Sequence, residues 1–222
     1  MFIGHYGVSF ALKRAAPRVS LGTLFLAVQF VDILWAIFIP LGIEKARVVP
    51  HFLAASPLDL YYMPYTHSLV GALFWSVVAG AAYFAFAGKR RFEAAIVAVA
   101  VFSHFVLDLV AHGPDLALYD SKFKMGLGLW NYLAATFAVE ALLVVAGVVL
   151  WLTARPSRDV GPPRTKAVIV FAAVLIAIAA GSLFGPLPGS IGGVAIFAEG
   201  SYFVLAGVAF WIDRPPISQK PR

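Results

Sequence analysis

Two ionisable side chains, one helical turn apart, stand inside an apolar stretch of this sequence. His104 and Asp108 occur in the run Ser103-His104-Phe-Val-Leu-Asp108. Residues spaced i and i+4 share one face of a helix, about 5–6 Å apart. A histidine and a carboxylate placed this way can both reach a metal ion at about 2.0–2.2 Å. His112 continues the same face, so the spacing predicts a metal site on this segment.

Three further ionisable residues could converge on this pair. Asp32 is isolated in Gln29-Phe-Val-Asp32-Ile-Leu-Trp35, and a charge at the centre of a membrane helix costs about 2.5–3.5 kcal/mol, so it needs a partner. His67 follows Thr66, which we expect to cap the next helix and place His67 in its first turn. His5 lies in a short apolar segment at the start of the sequence.

The composition restricts both the environment and the metal ligands. Hydrophobic residues make up 61% of the 222 residues and charged residues 13%, far from the roughly half-apolar, quarter-charged balance of a soluble domain. The chain contains no cysteine, which excludes thiolate zinc sites, iron–sulfur clusters and cysteine nucleophiles. Any metal must therefore be held by histidine and carboxylate within a membrane protein.

Apolar runs of about 20 residues predict an all-α, polytopic transmembrane bundle with six spans. A shorter stretch, Met1 to Leu12, precedes them and predicts a half-helix or an interfacial helix. The predicted spans are Val19 to Ile43, His67 to Ala87, Phe92 to His112, Trp130 to Thr153, Ala167 to Gly185 and Ile191 to Ile212.

The basic residues predict the orientation of these spans. With the N-terminus inside, the inner segments hold 13 of the 17 Lys and Arg residues and the outer segments hold four. The positive-inside pattern therefore predicts that both termini are cytoplasmic. It also accounts for the net charge of +6 without a nucleic-acid partner. We predict a metal-site membrane domain over residues 1–153, a cytoplasmic linker over 154–166, and two further spans with a basic tail over 167–222, all within one membrane domain.

The order of these motifs resembles that of a known family. Gly4-His5, the isolated Asp32, Thr66-His67-Ser68 and His104-x-x-x-Asp108 look like the YdjM-like family of inner-membrane metal-dependent hydrolases. That family is similar in pattern to the zinc-dependent phospholipase C and single-strand nuclease superfamily. The resemblance covers about half of the chain, from Gly4 to Gly113.

The resemblance implies a specific ligand set and a reaction. A divalent metal would be held by Asp32, His67, His104 and Asp108, with His5 as a further ligand. By analogy with the family the metal would be zinc, and manganese or iron are the alternatives. Where the family has Pro-Asp-x-Asp, this chain has one carboxylate, and no histidine follows His112. This implies one metal, or two with His5 and His112 contributing.

A metal with an open coordination position lowers the pKa of bound water towards 7, which predicts a hydrolase. Asp32 or Asp108 would act as ligand or as catalytic base. The resemblance implies a phosphoester or other ester of a lipid or lipid-linked substrate, cut at the outer half of the bacterial inner membrane, with membrane lipids as the surrounding partners.

Other classes of protein also use such residues. Intramembrane Asp and His mark ion paths, so an ion- or proton-coupled transporter or channel is an alternative. A membrane haem protein with His67 and His104 as axial ligands is another, although it leaves the aspartates without a role. A non-catalytic membrane subunit is the third. Metal content distinguishes these alternatives from the hydrolase.

Overall fold

The computed structural model describes residues 1–154 and 162–213, which form eight α-helices and one two-stranded antiparallel sheet. Residues 155–161 of the predicted linker and 214–222 of the predicted basic tail lie outside the described residues. The elements are α1 (Gly4–Ala15), α2 (Leu21–Val28), α3 (Phe30–Phe38), β1 (Lys45–Leu53), β2 (Ser56–Tyr62), α4 (Leu69–Phe86), α5 (Arg91–Ala111), α6 (Leu133–Leu152), α7 (Thr165–Phe184) and α8 (Ile191–Ile212).

Within the described ranges, α4 to α8 are long and apolar enough to cross a membrane. Each has 18–22 residues, which at about 1.5 Å per residue approaches the thickness of a bilayer core. α2 and α3 together pass the same test as one bent pair, which brings the number of candidate spans to six. The prediction of a multi-pass helical membrane protein is confirmed, while its orientation and its division into domains stay predictions.

The first predicted span is broken in the middle. α2 ends at Val28, Gln29 leaves the helical conformation, and α3 runs on at an angle of 50° to α2. Gln29 is fully buried, and its side-chain amide donates to the carbonyl oxygen of Phe2 at 3.2 Å. The sequence predicted one continuous helix because its run of apolar residues carries no sign of the break.

α1 is the predicted half-helix, and it lies inside the bundle rather than at an interface. Its Tyr6 and Phe10 are fully buried, and Phe10 packs edge-on against Phe25 of α2. α1 also packs along α6. A Cβ atom at Gly147 would lie 2.0 Å from the carbonyl oxygen of Gly7, so the two backbones touch where these glycines meet.

The two-stranded sheet corrects the all-α prediction. β1 and β2 form an antiparallel hairpin at the end of the bundle where α3 ends and α4 begins. The ammonium group of Lys124, in the loop after α5, donates to the carbonyl oxygen of Tyr61 at 2.7 Å. The hairpin and this loop cover what we call the hairpin end of the bundle. Strand pairing was missed because Pro50 and Pro57 interrupt the two strands, and proline within a run argues against a strand.

Candidate metal centre

Asp108 is the deepest carboxylate of the site and the centre of a ring of imidazoles. It projects from α5 with a side chain that is 2% exposed. Nε2 of His104, one turn earlier, lies 2.9 Å from its Oδ2 atom, and Nε2 of His5 lies 3.2 Å from its Oδ1 atom. His67 and His112 place their Nε2 atoms 3.6 and 3.5 Å from Oδ2. Four histidines therefore surround one carboxylate, two of them one helical turn away and two from distant parts of the sequence.

Asp32 supplies the second carboxylate from the first turn of α3. Its Oδ1 atom lies 3.1 Å from Nε2 of His67 and 3.4 Å from Nε2 of His104. Its Oδ2 atom accepts a hydrogen bond from the hydroxyl of Tyr202, on α8, at 3.0 Å. The Asp32 side chain is 15% exposed, so it lies nearer the surface of the site than Asp108 does. The break after Val28 orients α3 so that Asp32 faces α5.

The ligand atoms form two groups in which every atom lies within 4.8 Å of the others. One group contains His5, His104 and Asp108, and the other contains Asp32, His67 and His104. His104 belongs to both, and its ring stacks on that of His5 at a centroid distance of 3.8 Å. These buried histidine and aspartate groups could hold a metal ion. The six residues predicted from the sequence all meet here, with His112 at the edge of the cluster.

The ring nitrogen of His104 that faces away from Asp108 contacts the end of α2. Nδ1 of His104 lies 2.6 Å from the carbonyl oxygen of Val28, the last residue of α2. A carbonyl oxygen only accepts, so Nδ1 carries a proton, and in the neutral form of the ring the lone pair is then on Nε2. An imidazole fixed in this way by a backbone carbonyl is typical of metal-binding histidines.

A relay of two residues fixes His67 in the same way. Oγ1 of Thr66 lies 2.6 Å from Oε2 of Glu44 and 2.7 Å from Nδ1 of His67. Glu44 is 1% exposed, and its other oxygen accepts the backbone N–H groups of Tyr65 and Thr66. Because an ionised carboxylate only accepts, Thr66 donates to Glu44 and accepts from Nδ1 of His67. In the neutral form of the His67 ring, the Nε2 lone pair therefore also faces the site.

His112 has a carboxylate behind its ring. Its Nδ1 atom lies 2.9 Å from Oδ1 of Asp115, and its ring packs on Trp130 at a centroid distance of 4.1 Å. Burial lowers the pKa of His112, but the carboxylates of Asp108 and Asp115 raise it by more, so the pKa lies above its ordinary value.

The ring nitrogens and carboxylates of the site are arranged as a cation would require. The lone pairs of His67 and His104 point at carboxylate oxygens, an arrangement that is repulsive unless a proton or a cation lies between them. Among the described residues, Nε2 of His104 and both ring nitrogens of His5 are buried without a hydrogen-bond partner. Imidazole and carboxylate ligands suit zinc, manganese and iron. The donor set therefore fits a divalent metal.

Some of the supporting residues were not predicted. Glu44 and the carbonyl oxygen of Val28 position two histidines, yet neither stands out in the sequence. Thr66 was expected to cap the second span, but Ser68 is the cap, since its Oγ accepts from the N–H of Gly71 at 3.0 Å. His67 consequently lies just before α4 rather than in its first turn.

Glu140 of α6 is a third residue whose role the sequence left open. It is 3% exposed, and its carboxylate accepts the backbone N–H groups of Phe2, Ile3 and Gly4 at 3.3, 2.8 and 3.1 Å. Free N–H groups at a helix start favour a negative charge. Glu140 thus fixes the start of α1, which carries His5 into the site, and the amino nitrogen of Met1 lies 2.6 Å from Asp108.

A cavity of about 830 Å³ opens from this cluster. Asp32, His67, Asp108, His112 and Glu140 line its polar end. Most of the remaining wall is apolar and comes from α7, α8, the loop between them and the hairpin. Among the described residues that line the cavity, none is a lysine or an arginine.

No protein-family model, curated protein or solved structure matches this chain.

Proposed function

We propose that this protein is an integral membrane metal-dependent hydrolase that cuts a phosphoester or other ester of a lipid or lipid-linked substrate. The observation that carries the proposal is the pair of ligand groups sharing His104 at the end of a largely apolar cavity. The motif resemblance to the YdjM-like hydrolases supports the same reaction class.

In this proposal His5, His67, His104, Asp32 and Asp108 would hold the metal, zinc by analogy. Such a cation lowers the pKa of a water molecule and polarises the bond under attack. Other residues of the chain would position these ligands and fix their tautomers. Glu44 through Thr66, and Val28, fix the imidazole tautomers, while Glu140 fixes α1 and with it His5.

The different burial of the two carboxylates favours different roles. Asp108 is 2% exposed and surrounded by imidazoles, which suits a ligand. Asp32 is 15% exposed and lines the cavity. In the proposal Asp32 has both roles: it would bind the metal through Oδ1, beside His67 and His104, and its Oδ2 atom, oriented by the hydroxyl of Tyr202, would accept the proton of the attacking water. The electron pair of the cleaved bond leaves with the alcohol portion of the ester, which takes up a proton.

The charge of the cavity means that a phosphoester substrate would need a cation beside it. Asp32, Asp108 and Glu140 would repel an anionic phosphoester, and the described lining offers no lysine or arginine to balance them. The amino group of Met1 is already paired with Asp108 at 2.6 Å, so a phosphoester would depend on bound metal and on the imidazoles for its binding.

The distribution of basic residues supports an outward-facing site. Lys45, Arg47, Lys122 and Lys124 lie at the hairpin end, and a larger number of Lys and Arg residues lies at the opposite end. With positive residues inside, the hairpin end faces outwards, in keeping with a bacterial inner-membrane protein.

The environment of Glu140 weighs against a transporter. In an ion path this residue would exchange protons or ions, but both its oxygens accept backbone N–H groups of α1. A carboxylate held in this way serves structure rather than transfer.

Metal content tests the proposal directly. Elemental mass spectrometry on detergent-purified protein should find about one or two zinc, manganese or iron ions per chain. His104→Asn and Asp32→Ala should lose them. His51→Asn is the matched control, because His51 is exposed on β1 and has a positive φ that asparagine tolerates.

A folded wild-type protein that holds no metal, even after incubation with zinc, manganese and iron, would refute the proposal. If metal is present, protein stripped with a chelator should not hydrolyse lipid phosphoesters, and restored metal should restore hydrolysis.

A further inference from the structure

The last two spans, α7 and α8, stand on either side of the cavity. α7 packs on α6, whereas α8 packs on α2 and α3. In the half of the bundle away from the hairpin, α2 fills the space between them. There Phe25 of α2 stacks on Phe171 of α7 at a centroid distance of 5.5 Å, and Gly22 of α2 lies against the ring of Phe210 on α8.

α2 no longer separates α7 from α8 beyond its last residue, Val28. Beyond Val28 the chain turns by 50° into α3, and the space between α7 and α8 becomes part of the cavity. We call this region the tail groove; its walls are Ile178, Gly181 and Ser182 on α7 and Val194, Phe197 and Ala198 on α8. The break in the first span therefore both orients Asp32 and leaves the tail groove open.

The tail groove is apolar at one end and continuous with the carboxylates and imidazoles at the other. Phe197, at its rim, is 75% exposed, and both walls belong to helices that can cross the membrane. The occupant must therefore be apolar over one part and polar over another, and it can come from the bilayer itself. The cavity volume of about 830 Å³ is within the range of pockets that bury most of a small amphipathic ligand.

We propose that the tail groove binds one hydrocarbon chain of a membrane lipid, which enters sideways between α7 and α8 and places the lipid's ester beside Asp32. The substrate class is then a lipid whose chain remains partly in the bilayer, not a water-soluble ester. This inference rests on the proposed function for the ester, but the binding of the chain needs no metal.

A photoreactive lipid tests the tail groove without relying on hydrolysis. The probe is phosphatidic acid with a diazirine in one acyl chain, added to the full-length protein in phosphatidylcholine vesicles, followed by peptide mapping. Labels should concentrate on the walls of the tail groove, and unmodified phosphatidic acid should compete for them. The same pattern should persist in His104→Asn and after chelation.

Two glycine variants provide a matched pair. A Cβ atom at Gly181, in the tail groove, or at Gly200, on α8 outside the cavity, would meet no atom within 4 Å. Gly181→Leu should fill the groove and reduce labelling by about tenfold or more, the scale of discrimination in apolar pockets. Gly200→Leu should leave it unchanged. If Gly181→Leu fails to fold, Ala198→Phe fills the same groove from α8.

Labels spread evenly over the lipid-facing surfaces, or groove labels that neither Gly181→Leu nor Ala198→Phe reduces in folded protein, would overturn the inference. Groove labelling in a protein that binds no metal would uphold the tail groove while refuting the hydrolase. Metal-dependent hydrolysis without groove labelling would uphold the hydrolase while refuting the tail groove.

Discussion

The hydroxyl of Thr66 lies 2.6 Å from the buried carboxylate of Glu44, and this contact determines which nitrogen of His67 is free. Because Thr66 must donate to Glu44, it can only accept from Nδ1 of His67. In the neutral form of the ring, the Nε2 lone pair of His67 is thereby directed at the candidate metal site. A residue that touches no substrate thus controls the chemical state of one that would bind metal.

Replacing Glu44 by glutamine should therefore weaken metal binding while preserving the shape of the site. A glutamine amide turned towards Thr66 would donate, so the Thr66 hydroxyl would turn its proton towards Nδ1 of His67. The ring would then carry its proton at Nε2, and metal affinity should fall by about 10–100-fold. Titration of metal-stripped protein with zinc measures the change.

Asp120→Asn is the control for this replacement, because Asp120 is an exposed acid in the loop after α5. It should bind zinc as the wild-type protein does. Equal zinc affinities for Glu44→Gln and the wild type would show that the Thr66 relay does not orient His67.

Glu140→Gln should loosen the start of α1. The replacement removes the negative charge that accepts three backbone N–H groups, and hydrogen bonds to a charged group contribute about 1.5–3 kcal/mol each. Amide hydrogen exchange at Ile3 and Gly4 should become faster. Glu199→Gln, the same change on α8, should leave exchange in α1 as it is, and unchanged exchange in Glu140→Gln would contradict the capping role.

Gly147→Ala should destabilise the contact between α1 and α6. Its methyl group would lie 2.0 Å from the carbonyl oxygen of Gly7, so the helices must separate, at a cost of about 1–3 kcal/mol. Thermal unfolding in detergent measures the effect. Gly207→Ala, where a Cβ meets no atom within 4 Å, should be neutral or up to about 1 kcal/mol more stable. A Gly147→Ala melting temperature as high as that of Gly207→Ala would refute the close approach.

Lys13→Met should destabilise the end of the bundle opposite the hairpin. The Lys13 ammonium donates to Asp213 at 2.7 Å and to the carbonyl oxygens of Pro17 and Val19 at 2.8 Å each. Removing one partner of a buried ion pair costs about 3–5 kcal/mol. Thermal unfolding should show the loss, and Lys166→Met, an exposed residue of α7, should show none. The double variant Lys13→Met, Asp213→Leu should recover part of the stability that Lys13→Met loses.

The sequence alone could predict several of the candidate ligands because they are ionisable residues within apolar runs. Asp32, His104 and Asp108 are costly in an apolar helix, so their presence points to a site. His5 and His67 could be added only through the order of motifs, since nothing local says that a short N-terminal helix folds into the bundle. The spans themselves followed from length and hydropathy.

The parts that could not be predicted depend on partners far away in the sequence. Gln29 ends a helix in an otherwise uniform apolar run, and its amide contacts Phe2. Glu44 looks like an ordinary loop acid until folding buries it against Thr66. Glu140 gains its meaning only from the N–H groups of α1, and the spacing of residues along one helix carries no information about such contacts.

The packing of α1 on α6 also sets an order for biogenesis. α1 is synthesised before α6, yet the carboxylate that caps it comes 136 residues after Gly4. Until α6 is inserted, the twelve-residue helix is too short to span the bilayer and lacks the carboxylate that accepts its first N–H groups in the folded protein. His5 therefore joins the other histidines late in membrane insertion, and the full set of candidate ligands exists only once the bundle has assembled around it.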